Sequence, residues 1–280
     1  MCGRTIWFDR KFSGVVHSID AGVGANLVLD YNAVDPQLRY FPQERRGRKS
    51  SAVYEDMKRQ ILVGDLTTDS TITEQSLADQ YGCSQSTIRE ALLTLQEDGL
   101  VIRRGYQGTF VTQTTNEEAV ILLRLRLNIE IGAIGQIVDN MTAARMAELR
   151  TLAAKYETAR EQRLIIDLSE ADTAFHMTLL RISGMPILEP VLLRTILHLH
   201  RFVITRHKHK MVWVDEIAPS HQALLDAIES GDKQKSRDIM TDHLTTNTFE
   251  LAEDYRTEVV SKVRQRITDR IQDTYARHPG

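Results

Sequence analysis

The sequence predicts a mainly α-helical protein with two parts that differ in their residue patterns. Between residues 72 and 111, two short helical patterns, a tight turn and a small β-hairpin pattern follow one another. From about residue 117 onward, nearly continuous helical periodicity takes over and is interrupted only by short Gly and Pro breaks. The first order of elements is typical of a winged helix-turn-helix, and the second is typical of an all-α bundle.

Composition and charge set broad limits. The 280 residues suffice for two domains of ordinary size, and 42% hydrophobic with 26% charged residues is the balance of a soluble globular protein. No apolar run reaches the length of about 18 residues that a membrane-spanning helix needs. Only two cysteines, Cys2 and Cys83, are present, and the N-terminus lacks the apolar core of a signal peptide, so we expect a cytoplasmic protein.

The net charge of −3 does not by itself favour a nucleic-acid partner, although only a binding face has to be basic. Positive residues cluster before and within the hairpin region, and such clusters are equally compatible with solvated surface. They are Arg45, Arg46, Arg48, Lys49, Arg103 and Arg104.

The changes in pattern divide the chain into four segments. Residues 1–47 have no sustained period, and we expect a mostly disordered extension. Residues 48–114 hold the winged helix-turn-helix, residues 115–257 hold the all-helical domain, and residues 258–280 form a polar tail.

Capping residues define the helices of the first part. A first helix is predicted over 51–63 from its apolar stripe. Thr73 can N-cap a second helix that Gly82 ends, and Ser84 can N-cap a longer third helix that Gly99 ends.

Turn residues and breaks define the remaining elements. The β-prone segments 101–103 and 109–112 flank the glycines of a hairpin turn at 105–108. The breaks at 184–186 and 231–232 divide the second part. Its predicted helices are 117–139, 142–161, 167–183, 187–206, 215–230 and 233–257.

The third helix carries side chains suited to reading DNA. In a helix-turn-helix the N-terminal residues of the second helix of the motif reach base edges, where Gln pairs with adenine and Arg with guanine. A basic wing can grip the backbone or enter the minor groove. The candidate residues are Ser84, Gln85, Ser86, Thr87 and Arg89 on the helix, and Arg103, Arg104 and Gln107 on the wing. The alternative is a protein-interaction module, because short helix pairs with a hairpin also serve that purpose.

One aspartate and three histidines form a second constellation. Asp172 and His176 are four residues apart and project from one helix face. His221 and His243 lie at similar distances on either side of the break at Gly231, which places them at similar heights in a helix hairpin. Together they form a candidate divalent-metal site. The alternative is that they are ordinary histidines of amphipathic helices, as we expect for His198, His200, His207, His209 and His278.

Several of these residues carry a family resemblance. The segments Ser84-Gln-Ser-Thr-Ile-Arg-Glu-Ala-Leu92, Gly99-Leu-Val101 and Gly108-Thr-Phe-Val111 resemble the GntR family of bacterial transcription regulators. The resemblance implies that Arg89, the helix beginning at Ser84 and the loop around Gly105 contact DNA. It departs at Gln85, where the family usually has Arg, so a charge able to grip phosphate or guanine is lost.

The second part resembles the FCD ligand domain of the FadR-type members. The matching segments are Asp172-Thr-Ala-Phe-His176, Ser183-Gly-Met-Pro186, His221-Gln-Ala-Leu-Leu-Asp-Ala-Ile228, Gly231-Asp232 and His243-Leu244. The resemblance implies that Asp172, His176, His221 and His243 bind zinc, with nickel or manganese as alternatives, and that the effector is a small carboxylate. Arg126 and Glu130 match a further family pattern. Arg126 is predicted to hold the effector carboxylate, with an interhelical salt bridge as the alternative.

The sequence thus predicts a ligand-responsive transcription regulator, a repressor that binds a palindromic DNA operator as a homodimer and is not an enzyme. Two alternatives remain at this stage. One is a metal-dependent hydrolase with a DNA-binding appendage, and the other is a regulator whose metal is purely structural.

Overall fold

The computed structural model describes residues 48–105, 108–207 and 221–249. The helices and strands in chain order are α1 (Arg48–Val63), α2 (Glu74–Tyr81), α3 (Gln85–Glu97), β1 (Val101–Arg103), β2 (Thr109–Val111), α4 (Asn116–Asp139), α5 (Ala143–Glu161), α6 (Ile165–Ser183), α7 (Glu189–His207), α8 (His221–Glu229) and α9 (Lys233–Phe249). A 3₁₀ turn, Pro186–Leu188, precedes α7. The predicted mainly α fold is confirmed.

Local capping explains the helix bounds of the first part. The Thr73 side chain accepts a hydrogen bond from the Ser76 amide, and the Ser84 side chain accepts one from the Thr87 amide, as predicted. Gly82 ends α2 in the left-handed conformation at φ 58°. The first helix begins at Arg48, earlier than the sequence indicated. β1 and β2 pair antiparallel, with Val101 opposite Val111.

The second part is helical throughout its described residues. α4 begins with a capping box, in which Thr115 and Glu118 satisfy each other's backbone amides, and it packs against α6, α7 and α9. The predicted breaks are confirmed: Gly184 ends α6 at φ 76°, and Gly231 separates α8 from α9. The predicted extension 1–47, the tail 258–280 and the helix ends at 215–220 and 250–257 lie outside the described residues. Within the described ranges, no helix combines the length and apolar character needed to cross a membrane.

Polar contacts join the two parts where α1 and α3 meet α6 and α7. Arg201 Nε donates to the carbonyl of Ile61 at 3.2 Å, near the end of α1. Lys58 Nζ lies 3.6 Å from a carboxylate oxygen of Glu170 on α6. The α7 helix therefore contacts α1, the helix that packs against α3.

Gly99 lies where the chain leaving α3 meets α7. Its φ of +77° is left-handed, and a Cβ there would lie 2.9 Å from His198 Nε2 and 3.1 Å from Arg194 Cδ. We expect Gly99→Ala to lower the free energy of unfolding by about 2–4 kcal/mol, from backbone strain and overpacking together.

The control for this prediction is Gly82→Ala. Gly82 is also left-handed, but no described atom would lie within 4 Å of its Cβ, so we expect only the backbone cost of about 1–2 kcal/mol. Urea denaturation measures both variants. Equal losses in the two would contradict a tight junction at Gly99.

Candidate functional site

The predicted helix residues of the DNA-reading surface lie together at the N-terminal end of α3. Ser84, Gln85, Ser86 and Arg89 are exposed, and Thr87 is half-buried. The Ser84 hydroxyl lies 2.7 Å from the Ser86 hydroxyl and also caps the helix, so part of its hydrogen-bonding capacity is used locally. On the wing, Arg103, Arg104 and Gly105 are exposed, whereas Gln107 lies outside the described residues.

Glu74, which the sequence reasoning missed, links the helix to the wing. Arg89 Nη2 lies 2.6 Å from one Glu74 oxygen, and Arg103 pairs with the other. Hydrogen bonding from Arg89 lowers the pKa of Glu74, with the charges of Arg89 and Arg103 adding to the effect. These contacts span 15 and 29 residues, so no helical or strand period could have indicated them.

The four predicted metal ligands come together inside the helical part. One ligand atom from each of Asp172, His176, His221 and His243 lies within 4.8 Å of the others, and all four residues are buried. Nε2 of His176 lies 3.1 Å from Nε2 of His243 and 3.5 Å from Asp172 Oδ1. We call these four residues the ligand cluster.

Neighbouring polar groups orient two members of the ligand cluster. Arg126 Nη2 and His200 Nε2 lie 3.3 and 3.0 Å from Asp172 Oδ2, which leaves Oδ1 facing the imidazoles. Glu130 contacts Nδ1 of His176, which leaves Nε2 of that ring facing the cluster. A ring held through its second nitrogen by a carboxylate is the usual arrangement of a metal-binding histidine.

His221 provides the test of whether a metal fits. Both of its ring nitrogens are buried and make no hydrogen bond to any described residue, although Nε2 lies 3.3 Å from Asp172 Oδ1. Buried polar atoms are nearly always satisfied, so this ring needs a partner. Burial lowers the pKa of His221, which keeps a lone pair available for coordination. The donor set therefore fits a divalent cation.

Charges in and around the cluster hold the carboxylates of Asp172 and the neighbouring Glu130 ionised. Burial alone would raise the pKa of Asp172, but the charge of His176 and hydrogen bonds from His176 and His200 hold it well below its usual range. Burial likewise opposes ionisation of Glu130, yet His176 and Arg126 lower its pKa to about 2. Burial would lower the pKa of His176, but the charges of Glu130 and Asp172, with a hydrogen bond to Asp172, together outweigh it and raise the pKa. An ionised Asp172 is the form that binds cations.

Arg126 and His200 both contact Asp172, which bears differently on what the sequence predicted for each residue. Arg126 is buried and pairs with Glu130 at 2.6 Å and with Asp172, so the interhelical salt bridge weighed as its alternative is present. Its contact with an effector remains a prediction. His200, expected to be an ordinary helical histidine, contacts Asp172 instead, and its Nδ1 lies 2.6 Å from the Ser169 hydroxyl.

An exposed helix beside a β-hairpin wing, joined to a helical bundle around a buried donor cluster, defines a two-part DNA-binding regulator. The family models agree. One described as bacterial regulatory proteins, gntR family, matches residues 49–111, and one described as the FCD domain matches residues 121–246. The chain belongs to the GntR family and is a DNA-binding transcriptional regulator with an FCD domain.

Comparison with individual relatives indicates the same class of protein. The chain is 28% identical over 200 residues to a probable D-xylose utilization operon transcriptional repressor of Paenarthrobacter nicotinovorans, covering 70% of this chain and 85% of the relative. It is 28% identical over 222 residues to a gluconate operon transcriptional repressor of Bacillus licheniformis, covering 74% and 86%. The solved structure of E. coli McbR/YncC matches the fold with a TM-score of 0.63 at 23% identity, covering 75% of this chain and 99% of that one. The two relatives are transcriptional repressors and the matched domains are those of transcription regulators, which confirms a regulator rather than an enzyme and removes the hydrolase alternative.

Proposed function

We propose that this regulator senses a small carboxylate at or near a divalent metal held by the ligand cluster. The observation that carries the proposal is His221, whose two buried ring nitrogens have no hydrogen-bond partner among the described residues while three other donors face it. Three imidazoles and one carboxylate suit zinc, with nickel or manganese as alternatives. The bound metal would supply positive charge that attracts a carboxylate.

The residues around the cluster prepare it for such an effector. The rings of Phe175 and Tyr156 contact His221, with centroids at 4.1 and 4.3 Å, and they keep water from one side of the ligands. Arg126 touches Asp172 at the edge of the cluster and is the candidate to hold an effector carboxylate bidentately. To do so, its guanidinium must share its donors between Asp172, Glu130 and the effector.

On the DNA side, we propose that the exposed end of α3 and the wing contact a palindromic operator. The proposed contact residues are Ser84, Gln85, Ser86, Thr87, Arg89, Arg103, Arg104, Gly105 and Gln107. A palindrome requires two copies of the winged part. Exposed apolar side chains on α4, Ile121 at 62% and Leu125 at 38% exposure, support pairing of two chains as a homodimer.

The α7 helix connects the two sites. Its His200 contacts Asp172 of the ligand cluster, and the next residue, Arg201, donates to Ile61 of α1. A shift of α7 that follows effector binding would therefore move the support of the DNA-reading helix. The effector must favour one arrangement of the two parts through its own differential affinity. We propose that the effector-bound arrangement releases DNA, so that the protein acts as a repressor. We also propose that it works in the cytoplasm, where its DNA operator lies.

Fluorescence anisotropy tests this function with the full chain, its own upstream intergenic DNA and a series of small carboxylates. We expect one acid to weaken DNA binding tenfold or more, and His221→Ala to remove that response while leaving DNA affinity in the absence of acid within about threefold. Gln222→Ala is the control, because Gln222 is exposed, follows His221 directly on α8 and pairs with Asp226 rather than with the cluster. Tight DNA binding that no acid alters would overturn the sensing proposal and leave the metal a structural role.

A further inference from the structure

A cavity of about 650 Å³ lies at the junction of the two parts and does not include the ligand cluster. Three segments form it: the end of α1 with the turn after it (63–68), the connection into α4 (113–117) and one face of α7 (201–206). Cavities of this size hold small metabolites. Because its walls come from both parts of the chain, anything bound there would contact both.

Arg201 is the notable group on its wall. The residue is 7% exposed, and among the described residues no carboxylate pairs with it. Nε donates to the Ile61 carbonyl, whereas the two Nη groups have no hydrogen-bond partner among the described residues and are not fully enclosed. A buried cation without a counter-charge is costly, and burial lowers the pKa of Arg201. The carbonyl end of α1 offsets part of that cost.

The rest of the lining suits a hydroxylated ligand. Arg206 supplies a second positive charge at the rim, where it lies over the Phe202 ring at 5.0 Å and contacts the amide oxygen of Asn116 rather than a carboxylate. Five threonines lie on the lining, and a hydroxyl can donate one hydrogen bond and accept two. They are Thr67, Thr68, Thr114, Thr115 and Thr205. Several of them already bond within the protein, including Thr205 to the Arg201 carbonyl, Thr115 to the Glu118 amide and Thr114 to His198, and keep only their remaining capacity for a ligand. Among the described lining residues the one carboxylate is Glu117, which is exposed, so positive charge prevails on the described inner wall.

We propose that this cavity is a second effector site, which binds a small polyhydroxylated anion such as a sugar phosphate or a sugar acid. The anionic group pairs with the free guanidinium donors of Arg201, because this fork matches both phosphate and carboxylate. The sugar hydroxyls exchange hydrogen bonds with the threonine side chains. The bound molecule bridges α7 and the end of α1, so it stabilises one arrangement of the winged part relative to the bundle.

Isothermal titration calorimetry of the full chain tests the site, with glucose 6-phosphate and glucuronate as the anionic probes and glucose as the neutral control. We expect at least one anion to bind and glucose to bind at least tenfold more weakly. Arg201→Gln should reduce the anion's affinity at least tenfold, whereas Arg181→Gln, on an exposed arginine outside the cavity, should not change it. Binding of the phosphate alone or of the carboxylate alone identifies the anionic group that the site takes.

A second pair of variants keeps the test valid if Arg201→Gln does not fold. Thr68 is exposed and lines the cavity, so Thr68→Glu places a competing carboxylate there and Thr68→Gln is its uncharged match. We expect Thr68→Glu alone to weaken anion binding at least fivefold. Absence of anion binding to the wild-type chain, or binding that survives both Arg201→Gln and Thr68→Glu, would overturn the proposal.

The variant His221→Ala separates this site from the ligand cluster. We expect it to retain the affinity for the anion, since His221 does not line the cavity. If His221→Ala abolishes binding while the Arg201 and Thr68 variants retain it, the anion occupies the metal-linked site and the cavity proposal fails. The sensing function proposed above would survive that result.

Discussion

Replacement of His221 by alanine is expected to abolish the metal-dependent rise in melting temperature of this regulator. The ring lies in the ligand cluster with both nitrogens buried and without a hydrogen-bond partner among the described residues. A metal that binds the folded chain and not the unfolded chain stabilises it by about 2.7 kcal/mol when its concentration is 100 times the dissociation constant. For a protein near this size, that corresponds to a rise of about 5–10 °C in melting temperature.

The measurement is differential scanning fluorimetry with and without zinc, after chelation and dialysis, together with a direct zinc titration. Loss of one of four donors should weaken zinc binding by a factor on the order of 100 or more. His198→Ala is the matched control, because His198 is a half-buried histidine on the neighbouring α7 that contacts Thr114 rather than the cluster. Its zinc-dependent rise should equal that of the wild type. An unchanged rise in His221→Ala would place the metal elsewhere or show that the cluster binds none.

Metal-free protein also separates a structural role from a sensing role. Retained cooperative unfolding with loss of the response to carboxylates would support sensing, whereas loss of the folded state would support a structural metal. The described residues favour an intact fold without metal. Asp172 is already held by Arg126 and His200, and His176 by Glu130, so the cluster keeps ion pairs that do not need the metal.

Helix bounds that depend on interactions between neighbouring residues could be predicted from the sequence. Thr73 and Ser84 cap helices because their hydroxyls reach amides three residues ahead, and Gly184 ends one because it adopts a left-handed conformation. These features need no knowledge of the rest of the fold. The ligand cluster was accessible in part, because a four-residue spacing and two matched positions around Gly231 made a metal site possible by helix geometry. That geometry left ordinary helical histidines open as the alternative, and the resemblance to the FCD domain decided between the two.

Contacts between distant segments could not be read in this way. Glu74 contacts Arg89 and Arg103 only because the wing folds back beside α2, and His200 reaches Asp172 only because α7 packs against α6. Neither set of contacts corresponds to a helical or strand spacing in the sequence. The cavity at Arg201 is a still clearer case, since its three walls come from segments up to about 140 residues apart.

Replacement of Arg89 by alanine is expected to reduce operator affinity by roughly 10- to 100-fold, the usual loss for one well-placed arginine contact to a base. Arg89 is exposed on the DNA-reading face of α3, and its partner Glu74 holds it toward the wing. Gln85 is uncharged and pairs with Gln75, so the described end of α3 has Arg89 as its fixed positive charge. Loss of that charge should therefore not be compensated by a neighbour on the helix.

Anisotropy with specific and scrambled DNA at several salt concentrations measures the effect and its origin. If Arg89 reads a base, the ratio of specific to non-specific affinity falls; if it grips a phosphate, both affinities fall and the salt slope decreases by about one. Arg160→Ala is the matched control, since Arg160 also pairs with a glutamate, Glu157, but lies on α5. Equal operator affinity of the Arg89 variant and the wild type would mean that Glu74 keeps this arginine on the protein. The wing and the serines at the start of α3 would then carry the contact with DNA.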